Sequence, residues 1–468
     1  MMRATVAALA ASVLAGCAAF SPDGGMDRVS ALTKERTGQG IAPQRSAQDA
    51  GQARARVAEL LAQPLTPGAA VELALLNNRG LQASFSQLGI AEADLVQAGR
   101  LRNPVFGFGR MALGGGAAEI ERSVMFDLLG LLTMPAATKV QQRHFEEAQV
   151  LAAAQAVGLA ADTRRAYFGA VAAQETVNYL RQVKEAADVS NELARRMLQA
   201  GNFNKLAQMR EQAFYADATA GLARAQQQAV AERERLTRLL GLSGDQLDYT
   251  LPERLPALPP QPTTPHNAEQ TAIATRLDIL MARRATEATA SALGLTHATR
   301  FIDGLEVGYQ NKSETGARRQ NGYEIELPIP LFDFGTARSA RAEATYMQSV
   351  HRLAAVAVNA RSEVRESYAA YRTAHDLARH YRDEVVPLRK RISEENLLRY
   401  NGMLIGVFEL LADAREQVRG VTDYVQALRD FWIAQTDLQT ALTGRSPGGA
   451  PTPAASPATA AGAPSAGH

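Results

Sequence analysis

The sequence predicts a mainly α chain with a small β part, in which long antiparallel coiled-coil helices and two β-hairpins are written twice. Three observations predict it. One pattern recurs at an offset of about 200 residues. Helical periodicity runs over stretches far longer than an ordinary globular helix. Alternating apolar and polar residues occupy the same place within each copy, at the spacing of half-wetted strands.

At the start of the chain, Arg3 precedes the apolar run Ala4 to Leu14, and Leu14-Ala15-Gly16-Cys17 follows. These are the parts of a secretory signal peptide, assigned to residues 1–16. The run is too short to cross a bilayer, which takes about 20 residues, so it is expected to be removed. Leu-Ala-Gly-Cys resembles the lipobox of bacterial lipoproteins, and that resemblance makes Cys17 the lipidation site and new N-terminus. The other reading is a plain cleavage site with an incidental cysteine. Ala18 follows, with no Asp resembling an inner-membrane retention signal. Cys17 is the only cysteine, so no internal disulfide can form. Residues 17–65 form a lipid-anchored N-terminal segment, in which the polar stretch Ser21 to Gln44 is expected to be unstructured.

The first repeat covers residues 66–250. Arg79 to Arg100 reads as a helix of about 22 residues, Pro135 to Gln199 as one of about 65, and Phe203 to Leu240 as one of about 38. Ala200-Gly201-Asn202 interrupts the pattern, and Gly241 is a helix stop. The second repeat, residues 266–444, does the same with Asp278 to Arg300, Gly335 to Arg399 and Met403 to Thr443, at about 23, 65 and 41 residues. Tyr400-Asn401-Gly402 interrupts it, and Gly444 ends it. In each copy two shorter helices nearly equal the long one, so one long helix can pack against two stacked end to end. Apolar residues recur at helical spacing, as at Leu180, Val183, Leu193 and Met197, or at Val350, Leu353, Val364, Tyr368 and Tyr371. The small-residue run Ala148, Ala152, Ala153, Ala156, Ala160 and Ala161 permits close helix approach. Periodicity alone fits an antiparallel coiled-coil stalk equally well.

The strands discriminate further. Leu305, Val307 and Tyr309 alternate with polar or small residues, as do Tyr323, Ile325, Leu327 and Ile329 after the polar loop Ser313 to Gln320. The first copy carries Pro104 to Leu113 and Ala118 to Leu128, joined by Gly114-Gly115-Gly116. There Ile120, Val124, Phe126 and Leu128 share a face, with Arg122 as an exception. Such strands suit a barrel wall between lipid and water, or two amphipathic hairpins packed on the helices of a soluble protein. Four strands cannot close a barrel, for which about eight are the minimum. Three protomers would supply twelve.

Between the repeats, residues 251–265 are Pro-rich and read as a linker. The tail, residues 445–468, is almost wholly Pro, Ala, Gly, Ser and Thr and reads as disordered. Fifty Lys and Arg against 48 Asp and Glu leave no nucleic-acid surface to expect. No later apolar segment reaches 18 residues, so any membrane crossing is left to β-strands.

The order short helix, hairpin, long helix, helix, written twice, resembles the TolC-like outer-membrane factors over roughly Thr66 to Gly444. Gly89 to Pro104 is similar to the family's helix-to-strand entry, and Leu327-Pro328-Ile329-Pro330-Leu331-Phe332-Asp333-Phe334-Gly335-Thr336-Ala337-Arg338 to its strand-to-helix turn. With the lipobox, the resemblance is to the lipoprotein branch serving resistance-nodulation-division pumps. It implies a homotrimer with a twelve-stranded barrel in the outer membrane of a Gram-negative bacterium and an α-helical tunnel in the periplasm. The tunnel would dock on a periplasmic adaptor (membrane fusion) protein that leads to an inner-membrane pump. One departure is visible: Leu131-Leu132-Thr133-Met134-Pro135 stands where the second copy has Leu331-Phe332-Asp333-Phe334-Gly335, which predicts strand-to-helix turns of different shape.

No enzymatic constellation is present, and no metal set either. His375 and His380 are five apart, off the i, i+4 spacing of helical metal pairs. The triple glycine lacks the Lys-Ser/Thr of a phosphate loop, and the methionines are dispersed. No cofactor is expected beyond covalent lipid on Cys17. The resemblance places the adaptor-contact tips at Gly201, Asn202 and Phe203 and at Gly402, Met403, Leu404 and Gly406. Glu409 and Asp413, four apart on one helix face, are candidates for an acidic gate ring in a trimer, or for a solvated face; the family pattern supports Glu409 more than Asp413. The rival function is a structural periplasmic coiled-coil lipoprotein, which explains the helices and Cys17 but not the alternating strands.

Overall fold

The computed structural model describes residues 19–112, 118–302 and 304–446. Cys17, the Gly114-Gly115-Gly116 loop and the tail beyond Ser446 lie outside the described residues. In chain order the elements are α1 (Met26–Thr37), α2 (Ala47–Leu61), α3 (Pro67–Asn77), α4 (Arg79–Ala98), β1 (Val105–Ala112), β2 (Ala118–Asp127), α5 (Leu128–Gln199) and α6 (Lys205–Leu240). After a short 3-10 turn and the linker come α7 (Ala268–Thr275), α8 (Leu277–Ala298), β3 (Glu306–Glu314) and β4 (Gln320–Glu326). They are followed by α9 (Thr336–His380), a π-helical turn (Tyr381–Val385), α10 (Val386–Asn401) and α11 (Val407–Thr443).

The chain divides into two compact units, each taking segments from both repeats. Of the described residues, the first comprises 19–43, Arg79–Ala153 and Leu277–Asn359, and the second Gln44–Asn78, Ala154–Arg276 and 360–446.

In the first unit the stretch Ser21 to Gln44, expected to be unstructured, is folded. Met26, Val29, Thr33 and Thr37 form the buried face of α1 at helical spacing. Two of the four are threonines, which lowers the apolar signal. Their hydroxyls are satisfied locally: Thr33 Oγ1 donates to Val29 O and Thr37 Oγ1 to Thr33 O, so both can be buried without an unmet polar group. Gln149 Nε2 donates to Gly25 O, and the amide and hydroxyl of Ser21 both donate to the buried carboxylate of Glu92.

The long helix α5 begins at Leu128, seven residues before the expected start at Pro135, and carries that proline inside it. The start is set by Asp127, whose Oδ1 accepts from Gly130 N at 2.6 Å, as an N-cap carboxylate should. In the second repeat the expected long helix runs without a break from Thr336 to Asn401, as α9, the π turn and α10. Pro387 stands at the start of α10 and has no N–H to donate, and the ladder adjusts with Val386 N donating to Tyr381 O, one residue further back than in an α-helix. The two strand-to-helix turns differ as predicted. β2 runs straight into α5, whereas Leu327 to Gly335 separates β4 from α9.

The second unit holds the main apolar core, formed by Val57, Leu65, Leu73, Tyr167, Phe168, Leu236, Leu240, Tyr371, Phe431 and neighbours. Its linker is irregular, as its prolines require, but is built into the core and does not hang outside it: Leu255 and Leu258 are buried. Trp432 Nε1 donates to Pro256 O, Thr263 N to Tyr371 Oη, and Leu255 N to Glu175 Oε2. Arg276, 1% exposed, reaches Ala441 O and Glu363 Oε2, so its charge is paired where it is buried. The helical stripe is borne out at Val364, Tyr368 and Tyr371 and along the alanine run, whereas Leu193 is exposed.

Candidate functional site

The four strands form one antiparallel sheet in the order β1-β2-β3-β4, so the two hairpins join edge to edge through β2 and β3. The register sorts the residues by face. Phe106 opposes Val124, which opposes Tyr309, which opposes Tyr323, and Phe126 opposes Val307, which opposes Ile325. Side chains alternate along a strand, so this is one apolar face. On the other face lie Glu119, Glu121, Glu306, Gln310, Lys312, Glu314, Glu324 and Glu326. Lys312 pairs with Glu119, and Gln310 donates to Glu121. The apolar face is interrupted by Arg110, opposite Ile120, and by Arg122, which is opposite Asn311 and donates to its Oδ1 at 3.2 Å.

The sheet is not a surface for the helices of this unit. Phe106, Phe108 and Ile325 are exposed, and Tyr323 is 87% exposed. The hairpins therefore do not pack on helices as in the soluble reading. Among the described residues, β1 and β4 each have a strand neighbour on one side only.

In the second unit, the two helix-to-helix turns share one backbone design. At the first, Asn202 N donates to Met197 O and Gly201 N to Leu198 O, with Gly201 at φ +77. At the second, Leu404 N donates to Arg399 O and Met403 N to Tyr400 O, with Met403 at φ +57. Both are Schellman ends, in which the residue after the cap is left-handed. Gly201 therefore corresponds to Met403, whereas the sequence pattern places Asn401-Gly402 there. Gly402 lies at φ −79 and Gly406 at φ −85, shapes open to any residue.

The following helices are capped from either side of the turn. Asn204 Oδ1 accepts from Ala207 N at 2.7 Å, and Gly406 N donates to Glu409 Oε2 at 2.9 Å. Glu409 is exposed and holds its turn closed; Asp413 is buried, and its Oδ2 has no hydrogen-bond partner among the described residues. The two acids therefore do not share an environment. Phe203 is half-buried, while Gly201, Asn202, Gly402 and Leu404 are exposed and Met403 is 93% exposed.

Sequence reasoning missed Glu211. It stands one turn after the buried Ala207, a core position, and is itself 1% exposed. Ser190 Oγ donates to Glu211 Oε2 at 2.8 Å, and Oε1 has no partner among the described residues. Burial pushes its carboxyl pKa up, partly offset by the Ser190 hydrogen bond and by the charge of Arg415. The signal available in the sequence was an acid in the apolar stripe. Among the described residues no three His, Cys, Asp or Glu side chains gather as a metal set, and no helix is long and apolar enough to cross a membrane.

No family model matches the chain, and no curated protein does. Solved structures do. The Campylobacter jejuni CmeC outer membrane channel matches with a TM-score of 0.72 at 15% identity, over 82% of this chain and 87% of its own. The outer membrane protein VceC of Vibrio cholerae matches with a TM-score of 0.67 at 16% identity, over 84% and 97%. A membrane protein of Pseudomonas aeruginosa matches with a TM-score of 0.70 at 20% identity, over 83% and 93%. The chain thus has the fold of the outer-membrane channels, the TolC-like outer-membrane factors that its repeats resemble.

Proposed function

We propose that this chain is one protomer of a homotrimeric, non-enzymatic outer-membrane channel that passes exported substrates out of the cell. The observation that carries the reading is the sheet: four strands with one largely apolar face, with neither edge of the sheet paired and no helix covering that face among the described residues. A sheet of that kind is unfavourable in water. Three copies joined edge to edge would make a twelve-stranded closed wall with lipid outside and the acidic face around water. Cys17 would carry the lipid that ties the mature N-terminus to the outer membrane. The turns at Gly201-Asn202-Phe203 and Gly402-Met403-Leu404, with Gly406, would meet a periplasmic adaptor, which hands on substrate from an inner-membrane pump of the resistance-nodulation-division type. Glu409 and Asp413 would lie at the narrow end, and Glu409, being exposed, is the one placed to meet passing ions.

The test is the mass of the full chain in detergent together with labelling by palmitate. A trimer is expected, and label should enter the wild type but not Cys17→Ser. A monodisperse monomer that stays soluble without detergent after removal of the lipid would sink the channel and favour a coiled-coil lipoprotein.

A further inference from the structure

The end of the second repeat is tied down beside an open groove of the second unit. Buried Arg276 donates to Ala441 O and to Glu363 Oε2, and the other oxygen of that carboxylate accepts from Ser446 Oγ at 2.8 Å. Ala441 and Leu442 pack with Val364 of α9 and with Ala268 and Ala272 of α7. The chain therefore leaves α11 against α9 at Glu363, and residues 447–468 continue from there. Val364 and Tyr368, with Thr264, Pro265, Asn267 and Gln270 from the end of the linker and the start of α7, line a groove of about 430 Å³. Clefts that hold a ligand measure about 300–1,000 Å³. The two charged side chains of the groove are paired with each other, Arg365 Nη1 donating to Glu269 Oε1 at 3.1 Å.

What the groove offers a ligand is thus uncharged: the Tyr368 ring, Pro265 and Val364, with hydroxyl and amide donors on the exposed Thr264, Asn267 and Gln270. That chemistry suits a proline-rich strand. A polyproline II segment makes no internal hydrogen bonds, so its carbonyls are left for outside donors, and its prolines pack on aromatic rings. Residues 447–468 contain no Asp, Glu, Lys or Arg, and Pro447, Pro451 and Pro453 open them. The reach agrees as well. Glu363 and Tyr368 are separated by about 7.5 Å along α9, and Pro447 to Gly449 span about 9 Å when extended. We propose that Ala450-Pro451-Thr452-Pro453 docks in this groove of its own protomer as a polyproline II strand, with its prolines against Tyr368 and Pro265. A second copy or an outside partner would compete with a segment tethered a few residues away, whose effective concentration is on the order of millimolar. The docking is independent of the channel reading of the sheet.

The experiment places the photo-cross-linker benzoylphenylalanine at Thr452 of the full-length protein in detergent, or at Ala466 as a distal control, and repeats the Thr452 case in P451S/P453S. None of these changes touches a residue of the packed core. After illumination, linked peptides are identified by mass spectrometry and linked chains are sized on a denaturing gel. Thr452 is expected to link to residues 264–270 or 364–368 within one chain, running as a monomer. Ala466 should give no such link, and P451S/P453S should lose the one from Thr452. A link from Thr452 to any other surface, or none at all, would overturn the docking. A link to the same groove that runs as a dimer would make it a contact between copies and overturn docking within the protomer. Equal yields from Thr452 and Ala466, or an unchanged yield in P451S/P453S, would reduce the contact to mere proximity of the tether and sink the docked strand.

Discussion

Met403 takes φ +57 at a position where its counterpart in the first repeat is glycine. A left-handed residue with a Cβ costs about 1–2 kcal/mol, so the second turn stores strain that the first does not. The two glycines nearest the turns should therefore respond oppositely. Gly201→Ala should destabilise by about 1 kcal/mol, the left-handed cost less the entropy that alanine removes from the unfolded chain. Gly402→Ala, at an ordinary φ, should be neutral or stabilise by about 0.5 kcal/mol. Thermal midpoints in detergent distinguish them, and equal losses would contradict the turn assignment. Glu211 offers a second test at this scale. Because its folded pKa is raised, its contribution to stability is full below the unfolded value, about 4.3, and is lost as pH rises through the folded value. Glu211→Gln keeps an acceptor for Ser190 and removes the charge. The variant should be more stable than the wild type at neutral pH, by about 1 kcal/mol, and the difference should vanish at acid pH. Parallel melting curves across pH would show that the carboxylate is not the titrating group.

At the scale of elements, starts and stops follow from single polar side chains and from prolines. Asp127 lengthens α5 by seven residues over what Pro135 suggests, and Pro387 is accommodated by a π turn within the long helix of the second repeat. The strands are governed by the partner that each face meets. Ile325 lies on the apolar face and Glu324 on the acidic one, adjacent in sequence and opposite in surroundings. Ile325→Lys should cost about 2–4 kcal/mol if its face meets lipid near mid-bilayer, and Glu324→Gln should cost little. Membrane extraction and trimer yield measure both. If the lysine variant enters the membrane as efficiently as the glutamine variant, the face assignment is inverted or the sheet does not meet lipid.

For the whole molecule, the proposed function rests on what three copies would enclose, and Glu409 is where its test meets residue chemistry. Gln at 409 can still accept from Gly406 N, so Glu409→Gln keeps the turn and removes the charge. In planar bilayers the cation preference of the channel should fall while trimer and single-channel openings persist; unchanged selectivity would leave Glu409 as a helix cap alone. The sequence by itself determined the repeat, the long helices, the four strands with their alternation, and the non-helical linker. All of these depend on local periodicity or on residues such as Pro that act on their own backbone. Only the tertiary structure decided that the two hairpins make one sheet, that Ser21 to Gln44 folds, that the linker is core, that Met403 and not Gly402 carries the strained turn, and that Glu211 and Arg276 are buried. All but the Met403 turn, whose hydrogen bonds span three and five residues, depend on partners 20 to more than 150 residues away. Such contacts are set by which surfaces are left to bury once the helices have formed, and no local pattern records that.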